Sequence, residues 1–151
     1  MYDSSKDTMA HKEHVRHVIE DIIVPELLKR AETHDDSKLQ SPEKETYDKY
    51  VPELQKVKYG TGEYLKITEE MKKTGMGHHV KVNRHHPEHF PNNDISHMSL
   101  IDLVEMFADH YAASLRSDTG YEKGEKMNAE RFHYSDQILS IFMNTYKELL
   151  K

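Results

Sequence analysis

Cysteine is absent from this 151-residue chain. That excludes a disulfide scaffold, a thiol nucleophile, an iron–sulfur cluster and a thiolate zinc finger. Proline and glycine are scarce, at 5 and 6 residues. No stretch alternates apolar and polar residues with β-branched enrichment, so strand signals are nearly lacking and the periodic signal is helical. No apolar run approaches the roughly 18 residues of a membrane-spanning helix. Positive charge is in deficit: 21 lysines and arginines against 27 aspartates and glutamates give a formal charge of −6. An acidic balance argues against a nucleic-acid coat or a binder of anionic membranes. The segment from Met1 to Ala10 is polar and lacks the apolar core of a signal peptide, so the expected compartment is the cytoplasm.

What is present is enough chain for one domain, and histidine, of which there are twelve. The expected fold is all-α, a single domain over residues 1–151 with five or six helices around one core. Residues 1–6 are expected to be disordered and 117–125 to form a flexible loop. A first helix, Asp7 to Ala31, carries Val15, Val18, Ile19, Ile22, Ile23, Leu27 and Leu28 at three- and four-residue steps, which predicts a buried stripe. Pro25 predicts a kink or break in it. Ser41-Pro42-Glu43 reads as a helix start carrying Tyr47 and Tyr50, and Gly75 and Gly77 as the stop of a helix from Glu63 to Lys73. Ser99 is expected to cap a helix from Leu100 to Leu115. A last helix is expected from Lys126 to Leu150.

Three features suggest metal chemistry. His34-Asp35 closes the first helix, and imidazole with carboxylate suits manganese, iron, cobalt, nickel or zinc. Neighbouring helical residues project about 100° apart, so such a dyad can grip one ion only where the backbone bends, as at a helix end. His14 lies on the expected buried stripe. Asp109 stands in the middle of the apolar run from Leu103 to Ala113, with Glu105 and Asp102 one and two turns before it. A carboxylate there is costly unless paired or bound to a cation. His97, His110 and His133 read as structural, and Met106 and Met143 as core filler. Tyr47, Tyr50, Tyr59 and Tyr64 read as core or rim packing.

The order His14, His34-Asp35, a histidine-rich segment and Asp109 resembles the HD-domain superfamily of metal-dependent phosphohydrolases, over about His11 to Leu115. His34-Asp35-Asp36-Ser37-Lys38 is similar to the form of the motif in which a lysine meets phosphate. Asp109 with Ala112 and Ala113 is similar to the helix of the final ligand. His85-His86-Pro87-Glu88-His89 resembles the histidines that support a second metal. The finer pattern, Asn83 to His89 with Asp102 to Met106, is similar to a small family of unknown function found in phages and bacteria.

The resemblance implies a metal held by His14, His34, Asp35 and Asp109, with Asp35 able to bridge to a second ion. That ion would draw on His79, His85 and His86. At helical spacing His79, Asn83 and His86 form one row, and His78, Val82 and His85 another; either could face the site. Lys38 stands where nucleotidase-type members often carry glutamate, and the histidines lie closer together than in typical dinuclear members. One ion is therefore expected, two if the histidines serve. Asp35, Lys38 and Glu105 are the expected catalytic residues, with Lys38, Arg84 and Arg116 meeting phosphate.

The expected function is divalent-metal-dependent hydrolysis of a small phosphate ester or nucleotide. The rival is a non-catalytic, metal-stabilised module that binds a nucleotide or protein, for example a phage-encoded modulator of its host. No membrane partner is expected, and nucleic acid ranks last. The apolar helix faces would equally serve a homodimer.

Overall fold

The computed structural model describes residues 2–58 and 60–151, and these contain helices and no strand. The all-α expectation holds. No described helix is long and apolar enough to cross a membrane. Tyr59, read as one of the packing tyrosines, lies outside the described residues. The chain divides into two compact units, one ending at His34 and one beginning at Asp35.

The N-terminal unit is a helical run: α1 (Ser5–His17), a π-helical segment (Val18–Ile23) and α2 (Val24–Thr33). The helix thus begins within the stretch expected to be disordered. The π segment is the response to Pro25. Proline has no N–H to give the preceding turn, and the ladder widens just before it, with Val24 N–H bonding to Ile19 O. Dihedrals stay right-handed through both junctions, so the chain neither breaks nor reverses. The expected burial of the apolar stripe is corrected here. Val15, Val18, Ile19, Ile22 and Leu28 are 44–61% exposed, and His14 is exposed with them. Periodicity identifies an apolar face, but this unit contains no second element to cover one.

The C-terminal unit opens on Asp35, whose φ of 62° is left-handed, directly after His34 ends α2. Aspartate tolerates that region better than most side chains. A 3-10 turn (Asp36–Leu39) leads into α3 (Glu43–Leu54), followed by α4 (Gly62–Lys72) and α5 (Gly75–Val82). Short 3-10 turns fill the stretch to α6 (Leu100–Ser114), and α7 (Tyr121–Phe132) and α8 (Asp136–Leu149) complete the unit. Helix α3 packs on α4 and α5; α6 packs on α7, and α7 on α8. Ala129, Phe132 and Tyr134 centre one core with Ile95, Ile138 and Leu139. Phe107 meets Tyr121 and Phe142 edge-on, Tyr111 meets Tyr121 edge-on, and Tyr146 lies tilted against Tyr121.

Ser99 caps α6 as expected, in a reciprocal capping box with Asp102. Three boundaries differ. Ser41 makes no cap, and α3 starts at Glu43. Gly75 begins α5 rather than only ending α4. A side chain there would put its Cβ 2.7 Å from the Glu43 Cα, so glycine is what lets α5 lie against the start of α3. The expected last helix is two helices. His133 turns left-handed at φ 54°, and Ser135 caps α8. Because α7 begins at Tyr121, the loop expected over 117–125 shortens to its first four residues.

Candidate metal centre

The site is built around α5. Glu43, the first residue of α3, is fully buried beneath it. Its two carboxylate oxygens accept from Nδ1 of His78 (2.7 Å) and Nδ1 of His79 (2.8 Å), and the Ser37 hydroxyl donates to it at 2.9 Å. Burial pushes the Glu43 carboxyl up, but the hydrogen bonds from His78, Ser37 and His79 outweigh it and hold the group below the usual carboxylate range. His78 spends its ring on this contact and is otherwise exposed.

Helix α5 stops at Val82, and Asn83 is extended at φ −102°, ψ 115°. The Asn83 amide closes the helix end, donating to His79 O (2.9 Å) and to Ser37 Oγ (2.8 Å). This break resolves the choice between the two helical rows. Off the helix, His85 and His86 both turn back toward His79, with ring centroids 6.0 and 4.7 Å from it. His79 Nε2 lies 2.8 Å from His86 Nε2 and 3.3 Å from Asp35 Oδ1; His85 Nε2 lies 3.6 Å from the same oxygen. One ligand atom from each of Asp35, His79, His85 and His86 falls within 4.8 Å of the others.

Proton positions follow from the outer contacts. A carboxylate only accepts, so His79 Nδ1–H donates to Glu43, while His85 Nδ1 lies 3.1 Å from Glu105 Oε1 on α6, a charge contact that favours its proton on that nitrogen. In the neutral rings the Nε2 lone pairs then point inward, toward the Asp35 carboxylate. Acceptors converging on acceptors repel unless a cation lies among them. Histidine ligands whose second nitrogen is held by a carboxylate are a common metal-binding arrangement. Burial first, then the neighbouring His85 and His79, pushes His86 down to about 2. Burial and then Lys38 lower His79, against the pull of Asp35 and Glu43. Neutral imidazole is the form that binds metal. The donor set therefore fits a divalent transition metal.

The Lys38 ammonium bonds Asp35 Oδ2 at 2.5 Å and lies over the Tyr47 ring, 5.1 Å from its centroid. Burial, then the charges of Glu43, Asp35 and Asp109, pushes the Tyr47 phenol well above its ordinary range. A cavity of about 700 Å³ opens beside the cluster, and Lys38, Tyr47, His79, His86 and Asp109 line it.

The remaining candidates are placed as follows. His14 and His34 belong to the N-terminal unit, His14 exposed on α1 and His34 half-buried at the end of α2. Arg84 forms a two-point ion pair with the fully buried Asp102 (3.1 and 2.8 Å) and lies over the Phe90 ring. Arg116 is exposed on the turn after α6. The three acids of α6 thus have different surroundings: Asp102 meets Arg84, Glu105 meets His85, and Asp109 lines the cavity. Glu43 escaped the sequence reading. Its only local signal, an acid at a helix start, is shared by most helices, and its histidine partners lie 35 and 36 positions away.

The chain belongs to a family of unknown function, DUF5662, which it matches over residues 1–149. No curated protein and no solved structure matches it.

Proposed function

We propose that this protein is a divalent-metal-dependent phosphohydrolase acting on a small phosphate ester or nucleotide. The observation that carries this reading is the convergence of His79, His85 and His86 with the Asp35 carboxylate, one ligand atom of each within 4.8 Å of the others. Asp35, His79, His85 and His86 would hold the ion, which when bound polarises phosphoryl oxygens and makes water a better nucleophile. Glu43 and Glu105 keep the inward nitrogens of His79 and His85 unprotonated. Lys38, beside Asp35 and on the cavity wall, is placed to neutralise a phosphate oxygen. Lys72, Lys81 and Arg131 add positive charge to the same wall. The resemblance of His34-Asp35 to the phosphohydrolase motif points the same way.

The test is metal content per chain and turnover of p-nitrophenyl phosphate, for the wild type, Asp35→Ala and His79→Ala. One or two bound transition-metal ions, lost in both variants together with turnover, are expected. A protein that stays metal-free after incubation with manganese, cobalt, nickel and zinc overturns the reading. A second reading rests on the number of donors. Four protein ligands suffice to close a tetrahedral shell, as in structural sites. Metal retained without turnover of any phosphate ester or nucleotide would favour a metal-stabilised binding module.

A further inference from the structure

The cavity beside the cluster is lined by a second imidazole–carboxylate pair, His110 on α6 and Glu125 on α7. Glu125 is 1% exposed. One of its oxygens accepts from His110 Nδ1–H at 2.9 Å, and the other accepts from the Tyr134 hydroxyl. An ionic side chain so buried is costly unless its oxygens are satisfied, and here two donors from separate elements satisfy them. The consequence falls on His110. With Nδ1 committed to Glu125, its ring plane and tautomer are set, and Nε2 makes no hydrogen bond among the described residues. His110 is only half-buried and lines the cavity, so that nitrogen is available to a molecule inside it. The sequence marks His110 as structural because it neighbours Asp109 on a different helical face. The cavity is wide enough to take in both faces.

We propose that His110 is the general acid of the hydrolase, giving its Nε2 proton to the leaving-group oxygen of a phosphate monoester, while Glu125 and Tyr134 are positioning residues that aim it. This rests on the hydrolase reading above. A water oxygen forms the new bond to phosphorus. The bond from phosphorus to the leaving oxygen breaks, and its electron pair stays on that oxygen. The His110 imidazolium, which keeps its Nδ1–H on Glu125, gives its Nε2 proton to the same oxygen and is left neutral. The proton lost by the attacking water passes to solvent, from which His110 is reprotonated. The products are an alcohol or phenol and inorganic phosphate.

The leaving group gives a selective test. p-Nitrophenolate departs without a proton, whereas phenolate needs one. Full-length, manganese-loaded wild type, His110→Gln, Glu125→Gln and Tyr134→Phe are assayed on p-nitrophenyl phosphate and phenyl phosphate, with bound manganese measured in each. His110→Gln is expected to lower turnover of phenyl phosphate about 100-fold, the ordinary size of an acid–base contribution, and that of p-nitrophenyl phosphate less than about tenfold. Its manganese content should match the wild type. Glu125→Gln and Tyr134→Phe should shift the ratio of the two rates in the same direction by less. Tyr134→Phe, which removes one hydroxyl, keeps the test open if Glu125→Gln does not fold. Equal losses on both esters, no loss, or loss of manganese from His110→Gln overturns the role of His110 alone. A wild type that hydrolyses neither ester overturns this proposal together with the hydrolase reading.

Discussion

His79 and His86 bring their Nε2 atoms to 2.8 Å of each other, although they are seven residues apart. Seven residues of unbroken helix would separate them by about 10.5 Å along the axis. The contact exists because α5 ends at Val82 and the chain doubles back after Asn83. That break creates the donor cluster, and the side chain that secures it can be tested.

Asn83→Ala removes the amide that closes α5 on His79 O and Ser37 Oγ. It should weaken cobalt or manganese binding about tenfold or more, the usual effect of losing support around a metal site. Calorimetric titration of the variant reads this directly. Unchanged affinity would show that the turn holds without its cap.

Glu43→Gln keeps the volume but loses the charge that fixes the tautomer of His79. A 10- to 100-fold loss of metal affinity is expected, with the helical circular dichroism spectrum retained. Glu105→Gln should act in the same direction through His85, and wild-type affinity in both variants would sink the assignment of the outer carboxylates.

His86 is pushed down to about 2 from an ordinary 6.5. The sign follows from proton counting. Below about 6.5 the unfolded chain takes up a proton at this position and the folded one does not, so stability falls as pH falls. Metal-free protein should therefore lose unfolding free energy from pH 6.5 downward, by at most about 1.4 kcal/mol per pH unit for this one group. His86→Gln should flatten the slope between pH 6.5 and 5 in urea titrations. An identical slope in the variant would assign the effect elsewhere.

Arg84→Met leaves the fully buried Asp102 without its guanidinium partner. The capping contacts of Asp102 with Ser99 persist, so the expected loss is about 1–3 kcal/mol rather than unfolding. Metal content should be unchanged, because the pair shapes the segment between the histidines and α6 and donates nothing to the cluster. Loss of metal in a folded Arg84→Met protein would assign the arginine to the site itself.

Much of the fold is legible locally. The cap of α6 depends on Ser99 and Asp102, three residues apart, and it forms as the spacing predicts. The π segment answers a proline seven residues after its start. The helix end expected at His34-Asp35 is there, and the backbone turns left-handed at Asp35. The split between α7 and α8 also had a local signal, Ser135 followed by Asp136, but continuous apolar periodicity outweighed it.

Burial was less legible. The stripe from Val15 to Leu28 is periodic yet exposed, whereas Glu43, Asp102 and Glu125 are acidic yet buried. Periodicity reports which residues share a face, and only the elements packed on that face decide whether it meets water. The residue chemistry by itself determined that this is a helical, cysteine-free, histidine-rich chain that carries imidazole and carboxylate donors in quantity. Tertiary structure decided which histidines converge. Ligand geometry depends on contacts between residues about 40 to 50 positions apart, Asp35 with His79 and His85 above all. No local propensity encodes these contacts; they form only when Gly75 lets α5 settle on α3 and Asn83 turns the chain back.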